Sequence, residues 1–482
     1  MTRYRLKDVL AGTGGTPRGN LTPGMSFSRL VRDARAVRPG DLYVGIRGER
    51  FDGNAFTGDA ARNGAAAAIV SREWADSGED FGIPLIVVDD TIQALQSWAN
   101  WRRDRLDVTV VGVTGSIGKT SAKESIAAVL GQIHRVYKSP GSYNNEIGLP
   151  LSLLEAADDT ECMVLEMGGA YAFGELTLLA SIAQPQVGVV TNVYPVHLER
   201  MGSIEAIAET KTELPRALPA SGTAVLNGDD QRVRAMAAST DANVVFYGLG
   251  PGNHVRAEQV STEGLKGTSF WLTIGNERYF VKVPFVGAHG VQVALVAIAV
   301  GHAMGMHISD MLAGLQDPAT QVRLLVAPGP AGSDLIDDTY NASTPSVMSA
   351  LALLEEIPAT RRIAVLGDMR ELGSISDDEH RVVGRRAADV VDILLTYGTM
   401  ATLIADEAMA LRIPGRGPVI RPFQEGQQDA IVDWLRAELR EGDVVLFKGS
   451  RGLAMETMVR DLRSDVEDPK SERSGHIRVG QS

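Results

Sequence analysis

The sequence predicts an α/β protein of three domains: a small N-terminal α/β domain, a central α/β domain built around a glycine-rich turn, and a C-terminal doubly wound domain of the Rossmann type. Two observations support this fold class. Short apolar runs alternate with helix-like segments along most of the chain, as in parallel sheets whose strands are joined by helices. A length of 482 residues exceeds what one hydrophobic core usually serves.

The first domain is expected over residues 1–105. Two apolar runs, "DLYVGI" and "PLIVVDD", predict strands, and the alanine-rich "TGDAARNGAAAAIV" between them predicts a helix. The segment "TIQALQSWANWRRDRL" has the apolar spacing of an amphipathic helix and ends the domain.

The second domain is expected over residues 106–318. It opens with a buried parallel strand, "VTVVGV", which is followed by a glycine turn and by a helix that begins near Lys119. Four further strands are predicted at "CMVLE", "QVGVVTN", "TAVLN" and "NVVFYG".

The third domain is expected over residues 319–465, where strands and helices alternate five times. Its strands are predicted at "DLIDD", "RIAVLGD", "DILLTYG", "PVIRPF" and "DVVLFKG". Its helices include "PSVMSALALLEEI" and "QQDAIVDWLRAEL". Residues 466–482 are rich in charged and polar side chains, and we expect them to be disordered.

Composition narrows the class of protein. A formal charge of -13 disfavours an extended binding surface for nucleic acid or for an anionic membrane. The single cysteine, Cys162, lies in an apolar run and is expected to be buried and unreactive. The start of the chain has no apolar leader, and the most apolar stretch, "VALVAIAVGHAMGMHI", is short and interrupted by His302. We therefore expect a cytoplasmic protein.

The stretch "VTGSIGKTSAKE" predicts a phosphate-binding loop, although the commonest spacing would require glycine in place of Val113. Gly115 and Gly118 permit a tight turn between strand and helix, and the amides at the helix start favour an anion. Lys119 would neutralise phosphate charge, and the Thr120 hydroxyl would reach a magnesium ion. The alternative is a glycine turn capped by a threonine.

Polar residues follow two further strands of the predicted sheet. Glu166 ends the strand "CMVLE", where a carboxylate reaches a metal beside the phosphate loop or is simply solvated. His197 and Lys211 come after the strand "QVGVVTN". Taken alone, a loop histidine is usually structural, and a lysine on a helix is usually a solvated surface charge.

The third domain offers two polar strand ends. In "DLIDDTYNASTPS", Asp338 meets Tyr340 and Asn341, a pattern that favours a ribose hydroxyl or a helix cap. In "VVLFKGSRG", Lys448 and Arg451 are candidate clamps for a carboxylate or a phosphate.

In this order, "TGSIGKTS", "YNNEIGLPLSLL", "VLGDMRELG" and "KGSRG" resemble the Mur ligase family over nearly the whole chain. The last three are most similar to the branch that adds D-alanyl-D-alanine to UDP-N-acetylmuramoyl-tripeptide in peptidoglycan precursor synthesis. The resemblance implies an N-terminal domain for the UDP-sugar-peptide, a central ATPase domain, and a C-terminal domain that brings the amine.

The resemblance also implies roles for residues that match the family pattern. ATP would be bound by Thr114, Gly115, Ser116, Ile117, Gly118, Lys119, Thr120, Ser121, Arg323 and Asp338. Two magnesium ions would be held by Thr120, Glu166, His197 and Lys211, and the catalytic residues would be Lys119, His197 and Lys211. The other substrates would meet Asp33, Arg35, Asp52, Gly53, Asn144, Asn145, Tyr340, Asn341, Lys448, Gly449, Ser450 and Arg451.

The implied reaction uses small-molecule substrates and a monomeric enzyme. A peptide carboxylate attacks the γ-phosphate of ATP to give an acyl phosphate, and an amine then displaces phosphate. In this family the residue corresponding to Lys211 carries a carbamate. Only a neutral amine reacts with carbon dioxide, and a lysine of pKa ~10.4 is neutral in about one molecule in 2,500 at pH 7. The environment of Lys211 must therefore favour the modified form.

Several positions depart from the family pattern, and they are Ala34, Gly290, Val293, Val322, Ser343 and Thr344. Gly290 and Val293 replace asparagines that commonly face the adenine. Two alternatives therefore remain: a sister ligase of the same superfamily that joins an amino acid or peptide to another carboxylate, and a nucleotide-binding switch without ligase activity.

Overall fold

The computed structural model describes residues 4–48, 51–77, 82–169, 172–196, 198–263, 267–285, 287–317, 325–412 and 417–467. These residues divide into two compact units. The first lies within Met1–Val193, Glu205–Val255 and Val296–Gly314. The second lies within Tyr194–Ile204, Arg256–Leu295 and Leu315–Ser482.

The N-terminal part of the first unit contains a five-stranded sheet in the order β2-β7-β6-β5-β4. Its elements are β1 (Tyr4–Arg5), α1 (Leu6–Thr13), β2 (Thr16–Arg18), β3 (Ser26–Phe27), β4 (Leu30–Val31), β5 (Leu42–Val44), α2 (Thr57–Arg62), β6 (Ala67–Ser71), α3 (Arg72–Ala75), β7 (Leu85–Val88) and α4 (Thr91–Arg103). Strands β4 to β7 run parallel, and β2 pairs antiparallel with β7.

The helix predicted over "TGDAARNGAAAAIV" is wrong in its second half. Helix α2 ends at Arg62, and Gly64 then adopts a φ of 97° that favours glycine. Ala67 and Ala68 belong to β6, a strand between β5 and β7, and both are fully buried. Small side chains suit a strand that is covered on both faces, so their helix propensity is overridden by packing.

The central part of the chain, whose residues belong to both units, holds six parallel strands in the order β13-β12-β11-β8-β10-β9. Its first elements are β8 (Thr109–Thr114), α5 (Lys119–Leu130), β9 (Val136–Lys138), α6 (Gly148–Glu155), β10 (Cys162–Glu166), α7 (Glu175–Ala183), β11 (Val187–Val190), α8 (Leu198–Met201) and α9 (Ile204–Arg216). The others are β12 (Thr223–Asn227), α10 (Gln231–Ala235), β13 (Asn243–Gly248), β14 (Val255–Thr262), β15 (Thr268–Ile274), β16 (Glu277–Val283), α11 (Gly287–Ala303) and α12 (Ile308–Leu315). The five predicted strands are confirmed.

Strands β14 to β16 were not predicted from the sequence. Strands β15 and β16 form an antiparallel hairpin around the turn at Gly275. Their outer residues alternate between buried and exposed, for example Val281 and Lys282, as expected for a sheet with one solvated face. These strands therefore contain no continuous apolar run that would mark them in the sequence.

The C-terminal part of the second unit is a doubly wound sheet in the order β17-β18-β22-β19-β20-β21. Its elements are β17 (Leu325–Pro328), β18 (Asp334–Asp337), α13 (Thr344–Glu356), β19 (Arg361–Gly367), α14 (Ser376–Val390), β20 (Ile393–Tyr397), α15 (Ala401–Ala410), β21 (Val419–Phe423), α16 (Gln428–Glu438), β22 (Asp443–Lys448) and α17 (Glu456–Glu467). The five predicted strands are confirmed, and β17 adds an antiparallel edge. Helix α17 extends to Glu467, and the rest of the tail predicted to be disordered lies outside the described residues.

Cys162 is buried in β10, and burial raises the pKa of its thiol to about 11, so it behaves as a small apolar residue. Among the helices that the structure describes, none combines the length and the apolar character needed to cross a membrane.

Candidate active site

The predicted phosphate loop joins the end of β8 to the start of α5. Helix α5 begins at Lys119, and Gly118 before it has a φ of 81°. Gly115 has a φ of 141°, and a Cβ atom at this position would lie 2.0 Å from Thr191 Oγ1. The backbone conformation at Gly115 and at Gly118 therefore favours glycine. Gly115 is also required because Thr191, at the end of a neighbouring strand, approaches it closely.

Two residues after β11 brace this loop. The Thr191 hydroxyl donates to the carbonyl of Ile117 over 2.7 Å, and the Ile117 amide donates to Asn192 Oδ1 over 2.9 Å. The amide of Ser116 donates to the carbonyl of Asn192. Sequence reasoning did not assign these two residues, although polar residues directly after the buried run "VGVV" were the available signal.

Lys119 holds its ammonium group over the loop. Its Nζ donates to the carbonyl of Gly115 over 2.8 Å and to that of Ser116 over 3.1 Å. The ammonium thus lies at the amino-terminal end of α5, where the helix dipole also favours negative charge. Ser121 follows within the first turn of α5.

Two candidate oxygen ligands converge beside the loop because β8 and β10 are adjacent and Glu166 pairs in register with Val113. The Thr120 hydroxyl donates to Glu166 Oε2 over 2.6 Å. Asn144 Nδ2 donates to the other carboxylate oxygen over 2.9 Å and fixes its direction. A threonine hydroxyl and a carboxylate are hard oxygen donors of the kind that magnesium prefers, so these residues fit the implied ion.

Asn145 differs from its neighbour in the contacts that its side chain makes. Its Oδ1 accepts from the amide of Gly148 over 2.9 Å, at the start of α6. Asn144 therefore faces the candidate metal ligand, and Asn145 stabilises the helix that follows.

Lys211 is buried, contrary to the interpretation of a lone helical lysine as a surface charge. Its exposed fraction is 3%, and its Nζ donates to the carbonyls of Gly168 and Gly169 over 2.8 and 2.7 Å. Burial, followed by the positive charge of Lys119, lowers the pKa of Lys211 well below its usual value. A neutral amine is thus far more abundant here than in water.

Glu213, two residues along α9, was not identified from the sequence. Its carboxylate accepts from the amide of Gly174 over 2.7 Å and from the amide and hydroxyl of Thr177 over 2.9 and 3.0 Å. These bonds tie α9 to the start of α7 and so hold Lys211 against the glycines after β10. His197 lies outside the described residues.

The N-terminal candidates shape two turns in the first unit. Asp33 and Arg35 form an exposed ion pair of 2.8 Å, and the guanidinium holds the pKa of the Asp33 carboxyl down at about 2. Asp52 caps the turn that begins at Gly53, and a Cβ atom on Gly53 would lie 2.5 Å from the carbonyl oxygen of Ile46. Their sequence spacing thus has a structural reason, and their contact with substrate stays a prediction.

In the second unit, the candidates Asp338, Asn341 and Lys448 lie together. Lys448 is buried, and its Nζ donates to Asp338 Oδ2 over 2.7 Å and to the carbonyl of Asn341 over 3.0 Å. Arg451 lies over the Tyr340 ring, with 5.1 Å between its Cζ and the ring centroid. The structure therefore pairs Lys448 with Asp338, and it leaves Arg451 as the exposed cation of this strand end.

Gly449 and Ser450 join this strand end to the loop "GDMRELG". The amide of Ser450 donates to the carbonyl of Asp368, and its hydroxyl accepts from the amide of Arg370 over 2.9 Å. A Cβ atom on Gly449 would lie 2.3 Å from Met455 Sδ. Two of the three motifs that indicated this branch of the family, "VLGDMRELG" and "KGSRG", thus support each other. Arg323 lies outside the described residues.

A buried histidine fixes the same loop. His380 Nε2 accepts from the amide of Met369 over 3.0 Å, and His380 Nδ1 lies 2.7 Å from the carbonyl of Ser376. Because an amide only donates and a carbonyl only accepts, the ring must be neutral with its proton on Nδ1. Burial lowers the pKa of His380. This effect outweighs the opposite effect of the Ser376 carbonyl and of the nearby carboxylates Asp368, Asp377 and Glu379, which raise the pKa.

This histidine predicts a pH dependence of stability. A histidine whose pKa is lowered by folding contributes stability that is complete above its unfolded pKa of about 6.5 and is lost as pH falls towards the folded value. We expect the free energy of unfolding to fall below pH 6.5 by up to about 1.4 kcal/mol per pH unit from this group. Chemical unfolding at several pH values between about 5 and 7.5 measures how the free energy of unfolding depends on pH. His380→Asn should reduce this dependence, whereas His302→Asn, a change at an exposed residue, should leave it unchanged. Equal slopes in all three proteins would contradict the assignment.

The departures from the family pattern have local structural reasons where the structure describes them. A Cβ atom on Gly290 would lie 2.5 Å from Phe285 Cβ, so an asparagine does not fit there. Val293 and Ala34 are buried, and Thr344 opens α13 behind Ser343, whose amide donates to the Ser346 hydroxyl. Val322 lies outside the described residues.

Family patterns match three consecutive regions of the chain. The pattern described as "Mur ligase family, catalytic domain" matches residues 27–103, and the "Mur ligase middle domain" matches residues 113–301. The pattern described as "Mur ligase, glutamate ligase domain" matches residues 323–451. The three regions follow the order of the three domains that the sequence predicts.

Relatives of similar length are found in several bacteria. The chain is 35% identical over 98% of its length to the UDP-N-acetylmuramoyl-tripeptide--D-alanyl-D-alanine ligase of Bacillus subtilis (strain 168), of which it covers 99%. The ligase of the same name from Escherichia coli (strain K12) is 32% identical over 92% of this chain and 95% of its own.

Solved structures are similar over the same length. MurF from Acinetobacter baumannii aligns with a TM-score of 0.85 at 28% identity, covering 96% of this chain and 99% of the other. MurF ligase from Thermotoga maritima, solved in complex with ADP, aligns with a TM-score of 0.77 at 29% identity and covers 91% and 98% of the two chains.

Proposed function

We propose that this chain, which belongs to the Mur ligase family, is an ATP-dependent ligase that joins D-alanyl-D-alanine to UDP-N-acetylmuramoyl-tripeptide during peptidoglycan precursor synthesis. The observation that carries the proposal is that Thr120 meets Glu166 beside the phosphate loop, and that the carbonyl of Gly168 accepts both from Lys211 and from Thr114 at the start of that loop, within one compact unit. The names of the relatives that match the chain from end to end support the choice of substrates.

Thr120 and Glu166 would hold one magnesium ion, and His197 and Lys211 would help to hold a second. Magnesium, when bound, neutralises the charge that develops on the transferring phosphoryl oxygens. The hydrogen bond from Asn144 to Glu166 leaves the other carboxylate oxygen directed at Thr120, which is the arrangement that an ion shared by the two residues needs.

Lys211 would act as a carbamate. Its neutral amine attacks the carbon of carbon dioxide, a C–N bond forms while one C=O π bond breaks and leaves its electron pair on oxygen, and the nitrogen loses one proton to solvent. The lowered pKa of the buried lysine favours the first step, because it raises the fraction of neutral amine. In the product one N–H remains, so it would donate to only one of the carbonyls of Gly168 and Gly169, and the carbamate would supply a negative charge that could help to hold magnesium.

The phosphate loop would position ATP for the first chemical step. A carboxylate oxygen of the tripeptide attacks the γ-phosphorus, the bond to the bridging oxygen breaks, and ADP leaves. Lys119 and the amides between Gly115 and Thr120 would bind the phosphates, in a turn that Thr191 and Asn192 keep rigid. In the second step the amine nitrogen attacks the acyl carbon, phosphate leaves, and the amine loses a proton.

The remaining roles are proposed from the family pattern. Residues 1–105 would bind the UDP-sugar-peptide, through Asp33, Arg35, Asp52 and Gly53. Residues 106–318 would bind ATP, and residues 319–465 would bring the dipeptide near Arg451. We further propose a cytoplasmic monomer. In the N-terminal part, the ion pair of Asp33 with Arg35 keeps a guanidinium exposed, which suits an anionic substrate.

The test is a phosphate-release assay with acceptors varied. Purified protein with ATP, magnesium, UDP-N-acetylmuramoyl-tripeptide and D-alanyl-D-alanine should release phosphate and form the pentapeptide product, identified by its mass. Phosphate release only with another acid or amine would assign the chain to a sister ligase. Magnesium-dependent ATP binding with no product from any acceptor pair would assign it to a nucleotide-binding switch.

A further inference from the structure

Lys123 is a lysine that the proposed reaction does not use. It lies one turn beyond Lys119 on α5, and its side chain is 0% exposed. An ammonium group removed from water is stable only when its protons have acceptors and its charge has a partner. Its contacts therefore indicate what this residue contributes.

Three oxygen atoms surround the Lys123 ammonium. Nζ donates to the carbonyl of Ser139 over 2.6 Å and to that of Gly141 over 2.9 Å, and Glu124 Oε1 lies 3.2 Å away. Glu124 also pairs with Lys138, which is 42% exposed. All three protons of the buried ammonium thus have an acceptor, and Glu124 balances the charge.

The two carbonyls belong to the segment between β9 and α6, residues 139–147, which we call the asparagine segment. This segment contacts Glu166 at two points: the Ser139 hydroxyl accepts from the Glu166 amide over 3.1 Å, and Asn144 Nδ2 donates to Glu166 Oε1 over 2.9 Å. Lys123 therefore links the helix that follows the phosphate loop to the segment that directs the Glu166 carboxylate.

The asparagine segment also contacts the glycines that face Lys211. The carbonyl of Asn144 accepts from the amide of Gly168 over 2.7 Å. The carbonyl of Gly168 in turn accepts from Lys211 Nζ over 2.8 Å and from the Thr114 hydroxyl over 3.1 Å. A displacement of the asparagine segment would therefore move both the Glu166 carboxylate and the Gly168 carbonyl that accepts from Lys211.

We propose that Lys123 is a positioning residue that fixes the asparagine segment, so that Glu166 meets Thr120 in the arrangement that binds magnesium. The inference rests on the proposed function, because that function requires the ion. A lysine suits this role because its long stem crosses a packed interior and its ammonium holds two carbonyls at once. Within the part of the chain that the structure describes, the Lys123 ammonium contacts Ser139, Gly141 and Glu124, none of which is proposed to touch a substrate.

The test compares Lys123→Met with Lys138→Met. Methionine keeps the unbranched apolar stem and removes the charge, and Lys138 offers a matched control because it pairs with the same Glu124 from the surface. The magnesium concentration that half-saturates binding of a fluorescent ATP analogue should rise about tenfold or more in Lys123→Met. In Lys138→Met it should change less than about twofold. Amide hydrogen exchange over residues 139–147 should accelerate only in Lys123→Met.

The outcomes separate this inference from the proposed function. If the natural protein binds the analogue without any need for magnesium, the proposed function fails, and the exchange experiment alone still tests the contact of Lys123 with the segment. If the natural protein needs magnesium and Lys123→Met has the same requirement, the inference fails. Should Lys123→Met not fold, Asn144→Ala must raise the magnesium requirement, and an unchanged requirement would overturn the inference.

Discussion

Replacement of Lys211 by alanine is expected to lower kcat/KM for ligation by about 100- to 1,000-fold, the range measured for loss of one electrostatic partner of a transferring group. The buried amine and any carbamate formed on it would both be lost. Added acetate or formate should restore part of the activity, because a small carboxylate fills the space and supplies the missing charge. Initial rates of phosphate release with and without these anions measure both effects.

The control for this variant is Arg216→Ala. Arg216 is an exposed cation in the last turn of the same helix and pairs with Glu209 at the surface, so its loss should leave ligation nearly unchanged. Thermal unfolding must show that Lys211→Ala is folded, since the cavity lies in a packed interior. Full activity of Lys211→Ala would exclude the carbamate, and a rescue seen equally in Arg216→Ala would show that the anions act elsewhere.

Glu166→Gln is expected to reduce ligation by a similar factor, about 100- to 1,000-fold, because it removes the negative charge proposed to face magnesium. The amide group also offers an N–H where Thr120 or Asn144 now donates, so one of these hydrogen bonds is lost. The concentration of magnesium that gives half-maximal activity should rise about tenfold or more. Initial rates across a magnesium series give both quantities.

Glu161→Gln is the matched control for Glu166→Gln. Glu161 directly precedes the same strand at its opposite end, is exposed and pairs with Arg135. Its replacement should leave both the rate and the magnesium requirement within about twofold of the natural protein, as for most surface ion pairs. An equal loss in the two variants would show that the effect of Glu166→Gln comes from stability, and no loss in either would exclude Glu166 as a metal ligand.

The phosphate-loop element was predictable because its causes are local. Gly115 and Gly118 adopt backbone conformations that favour glycine, and Lys119 begins a helix directly after a buried strand. Continuous apolar runs likewise predicted the parallel strands of the C-terminal sheet and five of the six in the central sheet, all but β9. Local pattern failed where burial outweighed propensity, as in the alanines of β6, and where one face of a hairpin is solvated, as in β15 and β16.

Whether a single charged residue is buried or solvated was not predictable in the same way. A lysine in a helical pattern has the same local sequence whether it is solvated or buried, and both Lys123 and Lys211 proved to be buried. Their acceptors are backbone carbonyls between 16 and 43 positions away in sequence. Such carbonyls are present at every residue, so no residue type marks them.

The sequence by itself determined the α/β class, most of the parallel strands of the two larger sheets, the phosphate loop and several of the polar strand ends, because each depends on neighbours within a few residues. Only the tertiary structure decided which of these ends meet. The strand order β11-β8-β10 brings Thr191 and Glu166 to either side of the loop, and the packing of α9 brings Lys211 to the same place. Desolvation there lowers the pKa of Lys211, and this depends on everything packed around the amine rather than on the residues beside it in the chain.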